Sequence, residues 1–309
     1  MDPTITIFGI TMNPPRSFTI FGFPIYFYAI AIMLGFVLAL LYVYKRREAF
    51  GMTRDNVLDM FLCVVIAGII GARLYYIMFN PSEYFGAGKW GNILRFREGG
   101  LAIYGGIIFG AGAVAVYAWR KKLRIGALLD AGGLGLLIGQ AMGRWGNFVN
   151  REAFGSLTAL PWGMRLGFTN GVTIAVHPTF LYESLWNAIG LILLHNFSKK
   201  RKQYDGQVFL LYLFWYGLGR VWIEGLRTDS LYIGATGIRV SQLLAALCIF
   251  CSAGLLIAFN LKRRALATSV AETAQAEENA TDDEISDEND ENNNIDNEEV
   301  HTHGQSERD

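Results

Sequence analysis

The chain of 309 residues is 52% hydrophobic and only 17% charged, a composition that excludes an ordinary soluble domain and favours several membrane spans. Its formal net charge of zero conceals two opposite regions: residues 1–264 hold 26 basic and 12 acidic residues, whereas residues 265–309 hold one arginine and 15 acidic residues. We therefore expect a membrane domain over 1–264 and an acidic cytoplasmic tail over 265–309. Few apolar residues and many like charges predict that this tail is disordered.

Seven apolar stretches are long enough to cross about 30 Å of hydrocarbon. This pattern predicts an all-α integral membrane protein with seven transmembrane helices. The stretches lie near residues 20–44, 57–79, 101–119, 125–143, 179–197, 208–225 and 238–261.

The basic residues predict how these spans are oriented. Compact clusters that follow the first, third, fifth and seventh stretches contain 15 basic residues, whereas eight are scattered on the opposite side. Because cytoplasmic loops are enriched in lysine and arginine, the clustered side should be cytoplasmic. The N-terminus is then outside and the acidic tail inside.

The first three spans each bring a polar side chain to the outer side. Tyr28 lies near the outer interface, where a place in an aromatic belt is its simplest interpretation. Arg73, in GARLYY, lies in the outer third of the second span. Tyr104, in EGGLAIYGG, is flanked by paired glycines, which allow a backbone or a lipid chain to approach closely.

An abrupt polar cluster ends the fourth span. The sequence GRWGNFVNREAFG runs from Gly143 to Gly155 and contains Arg144, Asn147 and Asn150. Ionisable side chains at membrane depth are costly unless they face a cavity or a partner, so this cluster is a candidate functional site. Interfacial residues that cap a helix end are the alternative.

An outward segment over 148–178 connects the fourth and fifth spans. Its length and its glycines suggest an arm or head segment resting on the membrane, and a plain loop is the alternative. It ends at His177, which precedes a proline and is more typical of a helix start than of a catalyst. The sequence HPTFLYES then brings Tyr182 and Glu183 near the outer boundary.

The sixth span carries a polar stripe. Tyr216, Arg220 and Glu224 are spaced four residues apart and share one helical face, and Arg227 follows three residues later. Such a stripe should line a cavity rather than face lipid.

The predicted topology places three arginines from three helices at similar depth near the outer leaflet. A guanidinium stays charged and binds phosphate oxygens with two parallel hydrogen bonds, so a phospholipid headgroup is a natural ligand. Taken singly, each arginine could instead be an anchor whose charged end reaches the interface. The three residues are Arg73, Arg144 and Arg220.

These motifs resemble those of the prolipoprotein diacylglyceryl transferase family, bacterial membrane enzymes that begin lipoprotein maturation. The similarity extends over nearly the whole membrane domain and keeps the family's motif order. It is carried by FYAIAIMLGF, GARLYY, EGGLAIYGG, GRWGNFVNREAFG, HPTFLYE and YGLGRVWIEGLR.

The resemblance implies a reaction, its partners and a location. The family transfers a diacylglyceryl group from phosphatidylglycerol to the lipobox cysteine thiol of an exported preprolipoprotein, which forms a thioether and releases glycerol phosphate. It implies a multi-pass protein of the bacterial cytoplasmic membrane with its active site facing the outer leaflet. The bilayer supplies the donor lipid, and no cofactor, metal or nucleic acid is expected.

The resemblance also implies roles for individual residues. Arg144 would bind the phosphatidylglycerol headgroup, and Arg220 matches an arginine essential to the family. The resemblance also points to Tyr28, Asn147, Asn150, Glu152, Gly155, Glu224 and Arg227 as substrate-binding residues. The positions of Arg73, His177 and Tyr216 along the chain add these three to the expected substrate-binding set.

Tyr104 departs from the family pattern, because many members have a histidine before the paired glycines. A free phenol has a pKa of about 10 and is a poor general base near neutral pH. We hypothesise that Tyr104 is catalytic through a hydrogen bond that orients the substrate or the leaving group. The cysteine thiol, whose free pKa is about 8.5, would then lose its proton with help from nearby arginines.

Two other classes of protein compete with a transferase. A lipid or small-anion transporter could use the same arginines along a translocation path, but it should carry polar residues through both leaflets and often has internal repeats. Here the polar residues gather on the outer side, and no convincing repeat is present. A structural membrane protein would not need three arginines and a glutamate at one depth.

Overall fold

The structure is a computed structural model that describes residues 3–85, 88–95, 99–229, 232, 237 and 239–303, with side chains described as far as residue 275. Glu98 of the EGGLAIYGG motif, the first residue of the last predicted span and the last six residues of the acidic tail lie outside this part of the chain. The contacts divide the chain into two compact units, residues 1–253 and 254–309.

The chain is mostly helical, and a long helix overlaps each of the seven predicted apolar stretches. The predicted start of the first stretch is wrong, because residues 20–26 form strands and a turn and the helix begins at Phe27. The eight α-helices in the described residues are α1 (Phe27–Arg46), α2 (Arg54–Phe79), the short α3 (Pro81–Tyr84), α4 (Ile103–Lys121), α5 (Ile125–Asn150), α6 (Thr179–Lys200), α7 (Gln207–Leu226) and α8 (Val240–His303). Two short 3-10 helices cover Arg47–Phe50 and Trp90–Leu94.

Five of these helices in the described chain are long and apolar enough to cross a membrane: α1, α2, α4, α5 and the first part of α8. The protein is therefore consistent with an integral membrane protein. Helices α6 and α7 are long enough to cross a membrane, but they are less apolar than the other five. Both contain ionised groups, among them Glu183 in α6 and Arg220 and Glu224 in α7, and such groups lower the mean hydropathy of a helix.

Helix α5 packs against α1 at positions with small residues. A Cβ atom built on Gly35 of α1 would lie 3.2 Å from Gly139 Cα, and one built on Gly135 would lie 3.6 Å from Ala39 Cβ. Glycine at four-residue spacing lets two helix backbones approach closely. Gly135 and Gly139 therefore serve the contact between α5 and α1.

Helices α2 and α4 meet through a second pair of glycines. A Cβ atom on Gly105 would overlap the carbonyl oxygen of Gly71, and one on Gly71 would lie 2.7 Å from the carbonyl oxygen of Gly105. The glycines beside Tyr104 therefore serve the contact between these two helices.

Among the residues that the structure describes, two small antiparallel sheets accompany the helices, so the all-α prediction is incomplete. Strands β1 (Thr4–Ile7), β2 (Ile10–Met12), β5 (Met164–Gly167) and β6 (Thr173–Val176) form one sheet in the order β2-β1-β5-β6, and β3 (Ser17–Ile20) pairs with β4 (Phe23–Tyr26). Strands of three or four residues are too short to give a recognisable alternating pattern. The outward segment after α5 is thus partly a sheet.

The four-stranded sheet covers the end of α5 and the start of α6. Ile5, which pairs with Leu166, is fully buried against Phe148 and Phe180 in one hydrophobic cluster. Arg151, which ends α5 in a left-handed conformation, donates to the carbonyl oxygens of Pro3, Val149 and Pro14 and to Asn13 Oδ1. This arginine of the GRWGNFVNREAFG motif therefore holds the N-terminal segment.

The opposite end of α5 is joined to α7 by a buried carboxylate. Asp130 is fully buried and accepts hydrogen bonds from the backbone nitrogens of Gly206 and Phe209. Lys202 lies 2.9 Å from the same carboxylate. Burial lowers the pKa of Lys202, but its hydrogen bonds to Asp205 and Asp130 outweigh that effect and the net direction is upward.

The second unit contains the rest of α8. The structure continues this helix to His303, although the composition of residues 265–309 predicts disorder. Alanine and glutamate, which are frequent there, have high intrinsic helix propensities, so the helical conformation is compatible with the composition.

Candidate active site

A cavity of about 170 Å³ lies between α5, α6 and α7. Three of the predicted site residues line it, namely Arg144, Tyr216 and Arg220. The other lining residues are Gln140, Glu183, Trp186, Asn187, Gly219 and Ile223.

One carboxylate lies at the centre of the charged residues. Glu183 Oε2 is 2.6 Å from Arg144 Nη2, and Glu183 Oε1 is 3.5 Å from Arg220 Nη1 and 3.9 Å from Arg227 Nη1. Only 8% of the surface of Glu183 is exposed. Because removing charges from water is costly unless they are paired, this glutamate makes it possible to hold three arginines close together.

Arg220 of α7 and Arg227, which directly follows α7, each have a further acidic partner. Arg220 Nη2 lies 2.8 Å from Glu224 Oε2. Arg227 donates to both oxygens of Asp229, at 2.9 and 2.7 Å. These hydrogen bonds lower the pKa of Asp229 and raise that of Arg227.

The charges that line the cavity sum to one positive charge, since Arg144 and Arg220 face the single carboxylate of Glu183. Behind them Glu224 pairs with Arg220 and Asp229 pairs with Arg227, so the wider cluster of three arginines and three carboxylates is neutral. A cavity whose lining carries one excess positive charge is suited to a singly charged anion such as a phosphodiester.

The polar residues of the GRWGNFVNREAFG motif form a chain of hydrogen bonds that ends at Arg144. Arg144 Nη1 donates to Asn147 Oδ1 at 3.1 Å, and Asn147 Nδ2 donates to Glu152 Oε1 at 2.9 Å. Asn150 Nδ2 donates to the same Glu152 oxygen at 3.2 Å. Asn147, Asn150 and Glu152 are outside the cavity lining, and their contacts orient Arg144.

Gly155 follows the end of α5 and lies between the start of α6 and the end of α7. Its nitrogen donates to the His177 carbonyl oxygen, and it forms a β-bridge with Arg227. A Cβ atom at this position would lie 2.7 Å from His177 Cβ, so only glycine fits without a shift. The His177 ring contacts the hydroxyl of Tyr182 at 3.3 Å and is also outside the cavity lining.

Tyr28 packs against the same motif from α1. A Cβ atom on Gly146 would meet the Tyr28 ring, so this tyrosine supports the outer end of α5 near Arg144. Its side chain is not part of the cavity lining.

Arg73 and Tyr104 are not brought to the cavity. Arg73 is 4% exposed, and its guanidinium donates to five backbone carbonyl oxygens in the segment that follows α3. Those acceptors are Asn92, Ile93, Arg95, Gly99 and Gly100. Tyr104 is 60% exposed on α4, with its ring 6.4 Å from that of Tyr75. The three arginines that the structure brings together around Glu183 are Arg144, Arg220 and Arg227. Arg227 takes the place that the sequence analysis gave to Arg73.

Helical spacing could have indicated the lining residues that were not predicted. Gln140 precedes Arg144 by four residues, and Asn187 follows Glu183 by four, so each shares a helix face with a charged residue. Glu183 was placed near the outer boundary, but its pairing with arginines of two other helices depends on tertiary structure.

A pair of tryptophans forms the wall between α6 and α7. The rings of Trp186 and Trp215 are stacked 4.3 Å apart, and each indole nitrogen donates to the backbone carbonyl oxygen of the other residue at 3.0 Å. Gly190 and Gly219 leave space for the rings, because a Cβ atom at either position would overlap one of them. Trp186 therefore contributes a tightly packed ring to the cavity wall.

Comparison with known proteins gives consistent matches. A family model described as prolipoprotein diacylglyceryl transferase matches residues 15–258. The chain is 42% identical over 229 residues to the phosphatidylglycerol–prolipoprotein diacylglyceryl transferase of Clostridioides difficile, a match that covers 74% of this chain and 88% of that protein. It is 41% identical over 248 residues to the enzyme of the same name from Finegoldia magna, covering 80% and 96%. The corresponding enzyme of Clostridium novyi is 40% identical over 258 residues, covering 82% and 98%.

Proposed function

The chain belongs to the prolipoprotein diacylglyceryl transferase family, and from this premise we propose how its cavity performs the reaction. The enzyme transfers the diacylglyceryl group of phosphatidylglycerol to a prolipoprotein, the first step of lipoprotein maturation. The acceptor in this proposal is the thiol of the lipobox cysteine, and the cavity between α5, α6 and α7 holds the phosphodiester of the lipid.

The observation that carries this assignment is the pairing of Arg144 and Arg220 with one shared carboxylate. Each guanidinium has five N–H donors in a fixed plane, and Glu183 engages only part of them. A phosphodiester bound between the two arginines would therefore add hydrogen bonds without requiring either side chain to move far. The excess of one positive charge favours this monoanion over a neutral lipid.

In the proposed reaction the cysteine sulfur, as its thiolate, attacks the carbon of the diacylated glycerol that is bonded to the phosphate oxygen. A carbon–sulfur bond forms, the carbon–oxygen bond breaks, and its electron pair leaves with glycerol phosphate. The proton lost by the thiol balances the one that the phosphate gains. Arg144 and Arg220 stabilise the negative charge that develops on the leaving phosphate, and fixed cations in a partly dry site do so with little reorganisation.

The remaining motif residues would act through these two arginines. Asn147, Asn150 and Glu152 set the orientation of Arg144 through the hydrogen bonds described above. Glu224 does the same for Arg220. Tyr104, which is exposed on α4 outside the cavity, is proposed to orient the substrate by hydrogen bonding.

We further propose that α6 and α7 also cross the membrane, giving seven spans with the N-terminus outside and the tail in the cytoplasm. Both helices pack against α5, which is itself long and apolar enough to span. The 15 clustered basic residues support this orientation through the positive-inside rule. The cavity would then open toward the outer leaflet of the bacterial cytoplasmic membrane, where exported prolipoproteins arrive.

The decisive experiment uses the purified full-length chain in detergent or proteoliposomes with phosphatidylglycerol and a synthetic lipobox peptide. Mass spectrometry should show the diacylglyceryl mass increment on the peptide cysteine. A peptide with serine in place of cysteine and vesicles that contain only phosphatidylcholine serve as controls. Folded enzyme that leaves the cysteine peptide unmodified would refute the proposed function.

A further inference from the structure

A layer of uncharged hydrogen-bonding side chains lies one helical turn from the charged residues of the cavity. On α5, α6 and α7 the charged residues Arg144, Glu183 and Arg220 each have a neighbour four residues away that also lines the cavity, namely Gln140, Asn187 and Tyr216. Four residues correspond to about 6 Å along a helix axis.

The three neighbours lie on the same side of the charged residues because α6 runs opposite to α7 and α5. Position 183 of α6 contacts position 220 of α7, whereas position 186 contacts position 215. Ser184 of α6 likewise donates to the carbonyl oxygen of Ala141 on α5. The cavity therefore has a charged end and an adjoining uncharged end.

Gln140 holds an acceptor at the uncharged end that no described residue satisfies. Its Nε2 donates to the hydroxyl of Tyr212 at 2.9 Å. Its Oε1 is buried and has no hydrogen-bond partner within the described part of the chain. Buried polar atoms are nearly always paired, so a ligand that supplies a donor would satisfy this oxygen.

The chemistry of the donor lipid restricts what that group is. The ester carbonyls and phosphodiester oxygens of a phospholipid only accept hydrogen bonds, whereas the two hydroxyls of a headgroup glycerol donate. These hydroxyls are on the second and third carbons beyond the phosphate oxygen. A phosphate at Arg144 and Arg220 thus leaves the headgroup within reach of the next helical turn.

We propose that Gln140 Oε1 accepts a hydrogen bond from a hydroxyl of the headgroup glycerol and so selects glycerol-bearing phospholipids. The inference rests on the proposed function, since it places the phosphodiester at the arginines. Arg144 and Arg220 bind the negative charge that all anionic phosphodiesters share. Gln140 recognises the hydroxyl that distinguishes this headgroup.

The test compares phosphatidylglycerol with phosphatidylpropanol, which has the same acyl chains and phosphodiester charge but no headgroup hydroxyl. Transfer to the lipobox peptide is measured as kcat/KM for the wild type and for Gln140→Met, which keeps the side-chain length and removes the acceptor. Leu136→Met is the matched control, because Leu136 lies one turn earlier on α5 and is half exposed. The kcat/KM of each variant with phosphatidylpropanol shows whether its phosphate site remains intact.

The wild type and Leu136→Met should prefer phosphatidylglycerol by about tenfold, the size of one ordinary hydrogen bond. Gln140→Met should lose this preference by slowing with phosphatidylglycerol alone. Equal use of both lipids by the wild type would overturn the proposal, even if the variant does not fold. A Gln140→Met enzyme that slows equally with both lipids would do so as well, because that pattern indicates a structural role.

A binding measurement separates this inference from the proposed function. Retention of the two lipids by the purified protein is compared by native mass spectrometry, without a peptide. Preferential retention of phosphatidylglycerol that Gln140→Met abolishes supports the role of Gln140 even if no transfer occurs. Transfer without any such preference retains the proposed function and overturns the role of Gln140.

Discussion

Glu183 Oε2 lies 2.6 Å from Nη2 of Arg144, so the arginine of α5 that is proposed to bind phosphate already binds a carboxylate of α6. The other oxygen of that carboxylate faces Arg220 of α7. Three helices are therefore joined at the point where the ligand is expected. The ion pairs keep both guanidinium groups in place. The two arginines and Glu183 together carry one positive charge, which can attract an anionic ligand.

Replacing Glu183 by glutamine should destabilise the protein strongly. The change leaves Arg144 without its carboxylate partner and leaves Arg220 with Glu224 alone, and breaking a buried ion pair typically costs about 3–5 kcal/mol. The free energy of unfolding in detergent measures the effect. Glu152→Gln is the matched control, since Glu152 is exposed and should cost below about 1 kcal/mol. Equal stability losses in the two variants would contradict the central role of Glu183.

Replacing Arg144 or Arg220 by alanine should abolish diacylglyceryl transfer. Loss of one group that stabilises developing charge typically lowers kcat by about 10²–10³-fold. Lysine should restore little, because one ammonium does not reproduce the paired hydrogen bonds of a guanidinium. Transfer to the lipobox peptide is the measurement, and Arg165→Ala, an exposed arginine of β5, is the control. Near-normal turnover of Arg220→Ala would refute its assignment.

The sequence predicts the positions of the long helices well because the thickness of the bilayer sets both their length and their hydropathy. It predicts ligand contacts less well, and Arg73 shows the reason. The predicted topology groups it with Arg144, but its guanidinium turns toward carbonyl oxygens of the segment after α3. The direction of a long side chain depends on acceptors distant in sequence.

Glu183 shows the opposite difficulty. A single glutamate near a helix start has no pattern that marks it as a partner of two other helices, whereas Arg144 and Arg220 lie in distinctive polar stretches. The four-stranded sheet was missed for a related reason. Its strands pair residues near position 5 with residues near position 166, and such pairings leave no local signal.

The stability of the segment after α7 should depend on pH through Asp229. Its hydrogen bond to Arg227 lowers its pKa in the folded protein below the unfolded value of about 3.9. Its contribution is therefore present above that unfolded value and is lost as the pH falls through the folded pKa. Because Asp229 is half exposed, solvent screening limits the effect to below about 1 kcal/mol.

The comparison of Asp229→Asn with the wild type checks this prediction. The difference in their free energies of unfolding should be constant near neutral pH and should shrink below about pH 4. Asp55→Asn, in the first turn of α2, controls for the general loss of carboxylate charge. A difference that grows as the pH falls would contradict the predicted sign.

Replacing Gly105 by alanine should separate α2 from α4. The new methyl group would overlap the Gly71 carbonyl oxygen, and forcing extra atoms into a packed contact costs about 1–3 kcal/mol. The melting temperature in detergent should fall clearly. Gly106→Ala is a close control, because a Cβ atom there lies 3.4 Å from the nearest carbonyl oxygen. The prediction fails if both variants melt at the same temperature as the wild type.

Tyr104→Phe tests whether the residue that replaces the common histidine takes part in the reaction. The phenol is exposed on α4, so its removal should leave the melting temperature unchanged. If its hydroxyl orients the substrate or the leaving group, the transfer rate should fall by about 10-fold, as expected for the loss of one hydrogen bond of ordinary strength. Tyr75→Phe, in the neighbouring aromatic contact, is the control. Full retention of the transfer rate by Tyr104→Phe would exclude a catalytic role and leave proton removal from the thiol to the arginine-rich cavity alone.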